Sequence, residues 1–117
     1  MNTVDVIKVS VKAAQNKKAS RLVAQDLRGL SEICDYQLIC SGENDRQTRA
    51  IAKEIEETLL KEFRVKPVLV EGEQAGNWIL MDFGGLMIHI FASANRDYYA
   101  LEHVWPDAKL MDATKIS

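Results

Sequence analysis

The sequence predicts a mixed α/β (α+β) domain, a sheet of about five strands with helices mainly on one face, in the order α-β-β-α-β-β-β-α. Three observations carry this. Asn44 followed by Gln47 opens a strongly patterned helix, two β-rich runs flank Gly84-Gly85, and no repeat or long linker divides the 117 residues. Helices set within an otherwise strand-rich order favour a mixed sheet with its helices packed on one side. The length fits one domain spanning residues 1–117, with 108–117 read as a loosely ordered tail.

The elements follow in order. A first helix is expected from about Thr3 to Gln15, capped by Thr3, because Val4, Ile7, Val11 and Ala14 return every three or four residues to one face. Ser20 to Leu27 reads as a strand, Arg28 to Ser31 as a turn, and Asp35 to Cys40 as a second strand ended by Ser41-Gly42. Asn44 and Gln47 form a capping-box pattern, and Ile51, Ile55, Leu59 and Phe63 then make an apolar stripe at steps of four. Pro67 to Glu71 reads as a short strand, since proline suits a strand's first position. A polar loop, Gly72 to Gly76, leads into the hairpin. A last helix is expected over Ser93 to Val104, stopped by Trp105-Pro106.

The hairpin is the most informative stretch. If Gly84-Gly85 is a two-residue turn, Phe83 faces Leu86, Met81 faces Ile88, and Ile79 faces Ile90. Alternation puts these six apolar residues on one face, the core side. The other face then holds Asp82 beside Met87, Leu80 beside His89, and Trp78 beside Phe91. Water alone does not select Trp, Leu, Met and Phe together, and a sealed core does not readily accept Asp and His. Aromatics and Met with a few polar groups are what a protein interface favours. The structural alternative is a terminal helix covering this face, with Asp82 and His89 bonded to each other or to backbone.

Composition excludes several classes. With 47% apolar residues, two prolines and six glycines, the chain can build a core. No apolar run is long and unbroken enough to span a bilayer, and Lys8 and Lys12 interrupt any signal-like start. Cys34 and Cys40 are isolated thiols, which points to a reducing cytoplasm. The net charge of −2 is unevenly spread: residues 1–28 sum to +4 and the remainder to −6. That asymmetry allows a peripheral contact with a polyanion such as RNA, although a dedicated nucleic-acid domain is far more basic.

Catalysis finds little support. His89 and His103 lie far apart without clustered ligands, and Cys40 sits among apolar neighbours as a small hydrophobe. The enzymatic alternative is metal-dependent nucleotidyl transfer, which needs paired carboxylates on adjacent strands. Here Ser41-Gly42 runs into Glu43-Asn44-Asp45 at a helix start, while Asp26 and Asp82 stand singly on separate strands. No cofactor, metal or catalytic residue is expected.

Three linked motifs carry a resemblance. The first comprises Asp35-Tyr36-Gln37-Leu38-Ile39-Cys40-Ser41-Gly42 with Arg46-Gln47 and Ala50-Ile51-Ala52, and the second is Trp78 to Gly84 with His89-Ile90-Phe91. The third is Arg96 to Glu102 with Trp105 and Asp107-Ala108. In order and spacing they resemble the ribosomal silencing factor, or iojap-related, family over essentially the whole chain. The resemblance implies a nucleotidyltransferase-like fold lacking the catalytic carboxylates. It also implies binding to protein fourteen of the large ribosomal subunit, which blocks joining of the small subunit and lowers translation when nutrients are scarce. Occupancy suffices for this, over an interface of about 800 Å² per partner. Trp78, Leu80, Asp82, Met87 and His89 form the expected centre of the docking surface. Tyr36, Arg46, Arg96 and Tyr99 are secondary candidates, each with a structural alternative: a strand start, a first helical turn, or the seat of the last helix. One departure is Gly85, where the family usually carries an acidic residue. A monomer is expected, or a weak homodimer that buries the same face against itself.

Overall fold

A computed structural model describes residues 2–93 and 109–111. Its elements are α1 (Thr3–Asn16), β1 (Ser20–Asp26), β2 (Tyr36–Gly42), α2 (Asp45–Phe63), β3 (Leu69–Glu71), β4 (Trp78–Asp82), β5 (Leu86–Ala92) and β6 (Lys109–Met111). One six-stranded sheet runs β3-β4-β5-β2-β1-β6. Among the described residues only the β2–β5 pairing is parallel and the others are antiparallel, so the sheet is mixed as expected. Both helices lie on one face and share a core with Ala24, Leu38, Cys40, Ile79, Met81, Ile88 and Ile90 of the sheet.

Helix α1 buries Ile7, Val11 and Ala14, as the periodicity predicts, together with Val6, Ser10 and Ala13. Buried Ser10 satisfies its hydroxyl by donating to the Val6 carbonyl at 2.7 Å. The cap is Asn2 rather than Thr3: Asn2 Oδ1 accepts from Val4 N at 2.9 Å. An asparagine immediately ahead of a threonine takes the role because it caps at least as well and lengthens the helix by a residue.

Strand β2 runs to Gly42, two residues past the expected end at Cys40, and all seven of its residues are buried. It is held on both sides, by β1 and by β5, and both ladders continue into Ser41. Gly42 is where α2 comes closest, since a Cβ there would stand 3.1 Å from the Thr48 amide nitrogen. The missing side chain therefore seats the helix start against the strand end.

Asn44 caps α2 as read, accepting from Gln47 N at 2.9 Å. The Gln47 side chain reaches back to the Glu43 amide at 2.6 Å, one residue beyond the usual capping-box partner. Its Nε2 also donates to the Lys17 and Lys18 carbonyls at 3.0 and 3.1 Å, so one glutamine ties the start of α2 to the end of α1. Ile51, Ile55 and Leu59 are fully buried, and Phe63 packs at the margin of the same cluster.

The hairpin has the predicted register: Trp78 faces Phe91, Ile79 faces Ile90, Leu80 faces His89, Met81 faces Ile88, and Asp82 faces Met87. Phe83 N–H donates to the Leu86 carbonyl at 2.9 Å and closes a two-residue turn. Gly84 alone of the pair has a positive φ, +87°, the pattern of a II′ turn that matches strand twist. Phe83, expected in the core, is only partly buried because it lies at the hairpin tip.

Two boundaries change. β3 is Leu69–Glu71 rather than Pro67 to Glu71, although Val68 N–H still donates to the Asp82 carbonyl at 2.7 Å. Within the segment read as a loose tail, Lys109–Met111 pair antiparallel with β1, and Met111 packs against the core. A free strand edge beside Ala24 gains backbone partners this way. The helix expected over Ser93 to Val104 lies outside the described residues, apart from Ser93.

Candidate functional site

Register across four strands assembles the face opposite the helices in rows. One row is Gln25, Gln37, Met87 and Asp82; the next is Val23, Ile39, His89 and Leu80; a third joins Ser41, Phe91 and Trp78. The five central candidates therefore share one face, on neighbouring strands β4 and β5.

This face is not uniformly open. Toward β2 it closes: Ile39, Ser41 and Phe91 are fully buried, and so are Gln25 and Gln37. That glutamine pair was missed by pattern reading. Gln37 Nε2 donates to Gln25 Oε1 at 2.6 Å, which pairs a donor of one amide with the acceptor of the other in a buried row. Toward β4 the face opens, and Trp78, Leu80, Asp82 and Met87 are each partly exposed. Beyond them, Leu69 pairs with Asp82 and extends the apolar surface to the sheet edge at 45% exposure. Leu69 was also missed, because its place on this face depends on the β3–β4 register.

His89 departs from the exposed reading, being only 8% exposed. It belongs to a ring cluster with Trp78 and Phe91. Trp78 stacks on Phe91 with centroids 5.2 Å apart, His89 and Phe91 are near-parallel at 6.4 Å, and Trp78 meets His89 at 6.0 Å. Trp78 Nε1–H donates to His89 Nδ1 at 3.1 Å. Burial lowers the imidazole pKa to about 4, so His89 is neutral at pH 7. The pair satisfies the indole N–H and fixes the plane of the tryptophan, whose edge lines a shallow pocket of about 190 Å³ with Glu71, Gly72 and Leu80.

Asp82 has a structural duty as well. Its Oδ1 accepts from Gly84 N at 2.8 Å, a local bond of the kind that pins a tight turn. The second carboxylate oxygen has no partner among the described residues.

The secondary candidates separate. Tyr36 points the other way, into the helix-side core, and the Arg28 guanidinium lies 5.3 Å from its ring centroid. Arg28 in turn grips Asp26 through Nε and Nη2 at 2.9 and 2.7 Å. Arg46 is exposed in the first turn of α2, on the helix side of the sheet. Arg96 and Tyr99 lie outside the described residues.

Asp26 and Asp82, the carboxylates weighed for a metal pair, stand on opposite faces of the sheet with β5 and β2 between their strands. They cannot share a cation. The basic N-terminal region is solvated, with Lys8, Lys12, Lys17 and Lys18 all exposed. Where Lys17 lines a surface groove of about 220 Å³ with Lys53, Glu54 and Glu57 supply balancing charge.

The described residues thus define an α+β module whose polar groups serve turns, caps and ring packing, and whose hairpin face opposite the helices is partly open on its β4 side. A family model described as "Ribosomal silencing factor during starvation" matches residues 1–117, and the chain belongs to that family. It is 38% identical over 112 residues to the Bacillus subtilis ribosomal silencing factor RsfS, covering 96% of this chain and 94% of that one. A crystal structure of a Chromobacterium violaceum protein superposes with a TM-score of 0.86 at 29% identity, over 93% of this chain and 90% of the other. A more distant relative is the mouse protein named "Mitochondrial assembly of ribosomal large subunit protein 1", 31% identical over 74 residues, or 61% of this chain and 32% of that protein.

Proposed function

We propose that the chain represses translation by docking the open half of the β4–β5 face on the large ribosomal subunit, where it obstructs joining of the small subunit. The partner in this reading is protein fourteen of the large subunit, and the repression serves growth under nutrient limitation. The observation that carries the geometry is the contiguous, partly exposed set Trp78, Leu80, Asp82 and Met87, extended by Leu69. Family membership supplies the ribosomal context, and the mouse relative's name associates a homologous protein with a large subunit. A rigid indole flanked by Leu and Met, with one carboxylate at the rim, has the composition of an interface centre.

The mechanism is occupancy. No bond is made or broken, so the chain is not an enzyme in this reading, and affinity and placement decide the effect. Trp78 supplies the anchor, held in orientation by His89. Asp82 keeps the turn tight through one oxygen and offers the other to a donor on the partner. Arg96 and Tyr99 remain secondary members of the surface, and the exposed lysines near the N-terminus give at most a peripheral RNA contact.

The test is a subunit-joining assay with purified large and small subunits. Added chain is expected to shift joined ribosomes toward free subunits, with the chain co-sedimenting with the large subunit alone. An unchanged profile at saturating chain would overturn the proposal. A competing occupant is a second copy, favoured by the apolar edge strand, where Val68 is 78% exposed beside Leu69. Concentration-dependent light scattering separates the two, since a dimer through this face competes with the subunit.

A further inference from the structure

The His89–Trp78 pair has a chemical consequence at its other end. An indole nitrogen is a donor only, so the ring nitrogen 3.1 Å away must be an acceptor. In a neutral imidazole the proton is then on the second nitrogen, Nε2. Among the described residues no acceptor meets that N–H, although the side chain is more than nine-tenths buried. Buried donors without partners are rare in folded chains, and each calls for a ligand, a water or a partner. The neighbours of His89 across the strands are Leu80 and Ile39, which bring no polar atom of their own side chains.

We infer that His89 is a preset donor of the docking surface, and that its Nε2–H takes a neutral carbonyl oxygen of the docked partner. The acceptor is neutral because the same face already carries the Asp82 carboxylate, with Glu71 opposite Leu80 at the edge. A second anion brought among them meets repulsion in a partly desolvated site. A main-chain carbonyl flanked by apolar side chains satisfies both constraints, since its apolar neighbours pack on Leu80 and Trp78 while its oxygen completes His89. The donor is held without rotational freedom, because the indole bond fixes the tautomer and the Phe91 stack fixes the ring. Preorganisation of this kind lowers the cost of ordering on binding.

The inference rests on the docking reading, and the experiment separates the two. Large-subunit pelleting is titrated with the wild-type chain, His89→Phe, His89→Gln, Trp78→Phe, and the Trp78→Phe/His89→Phe double variant. His89→Phe keeps an aromatic ring in the stack but removes the donor, and is expected to weaken pelleting by about ten-fold or more. His89→Gln, which places an amide N–H near the Nε2 position, is expected to recover most of that loss. In the Trp78→Phe background, where no indole needs orienting, His89→Phe is expected to cost a similar factor. If the cost vanishes in that background, His89 only positions Trp78 and the inference fails. A wild-type chain that does not pellet sinks the docking reading and this inference with it; a His89→Phe chain that pellets like wild type sinks this inference alone. Should His89→Phe not fold, nitrogen-15 spectra of the wild-type histidines decide, with the isolated large-subunit protein fourteen as probe. Slowed solvent exchange of the Nε2 proton on binding supports the assignment, and unchanged exchange overturns it.

Discussion

The two faces of the β4–β5 hairpin are made by the same two strands with the same alternation, yet they differ in what their side chains answer to. On the helix side, Ile79, Met81, Ile88 and Ile90 are fully buried and purely apolar, in one cluster with residues of α1 and α2 and with Ala24, Leu38 and Cys40 of the neighbouring strands. On the other side, Trp78, Leu80, Asp82, Met87, His89 and Phe91 grade from fully buried beside β2 to half open beside β4. Each polar group there has at least one local duty: the imidazole accepts from the indole, and the carboxylate caps the turn. The first face is a packing solution, while the second spends part of its chemistry on its own order and leaves the rest outward.

The largest expected contrast is in stability. Ile88→Ala removes a fully buried side chain and is expected to cost about 3–4 kcal/mol, within the usual range for buried aliphatics. Leu80→Ala, one strand over on the half-open face, is expected to cost less than about 1 kcal/mol. Denaturant titration of both variants checks this, and equal losses would mean that both faces are equally packed.

The next contrast is in pH dependence. Above the ordinary imidazole pKa of 6.5, His89 is neutral in both folded and unfolded chains and makes no difference. Between 6.5 and about 4 the unfolded chain takes up a proton that the folded one refuses, so stability falls as pH falls. Below about 4 the folded state takes it up too, and the contribution levels off near 3 kcal/mol, to order of magnitude. His89→Phe is expected to flatten this part of the stability–pH curve. An unchanged slope would place the titrating group elsewhere.

A smaller effect is expected where the helix that covers the closed face is seated. Asn44→Ala removes the α2 cap and is expected to cost about 1 kcal/mol while leaving subunit binding unchanged. Smaller still is the difference between two substitutions of Asp82. Asp82→Asn keeps an oxygen for the Gly84 amide and removes the charge, so its melting point is expected to stay at wild type; Asp82→Ala loses the turn bond and melts a few degrees lower. Thermal melts of the pair separate the turn role from any role in binding.

The hairpin was legible because its evidence is local. Gly84-Gly85 sets the turn, period-two alternation sets the faces, and neither depends on distant chain. The stripe of α2 and its Asn44 cap were legible for the same reason. What escaped depends on pairing across long sequence separations. Tyr36 falls on the core side because β2 runs parallel to β5 in a register that brings it beside Leu86. Leu69 joins the open face only through its pairing with Asp82, and Lys109–Met111 form a strand only because β1 offers a free edge. The burial of His89 was not legible either, since alternation assigns a face but not its depth. Alternation pairs His89 with Leu80, while the rings gathered beside it, Trp78 and Phe91, come from the adjacent row of the same face.

The claim most open to direct attack is that the half-open face is the docking surface while the closed face only supports it. Large-subunit pelleting with Trp78→Ala against Ile79→Val tests this, since the two residues are adjacent on β4 and point to opposite sides. The expected result is loss of pelleting by about 30-fold or more for Trp78→Ala, with Ile79→Val pelleting like wild type. Wild-type pelleting by a folded Trp78→Ala chain would contradict it.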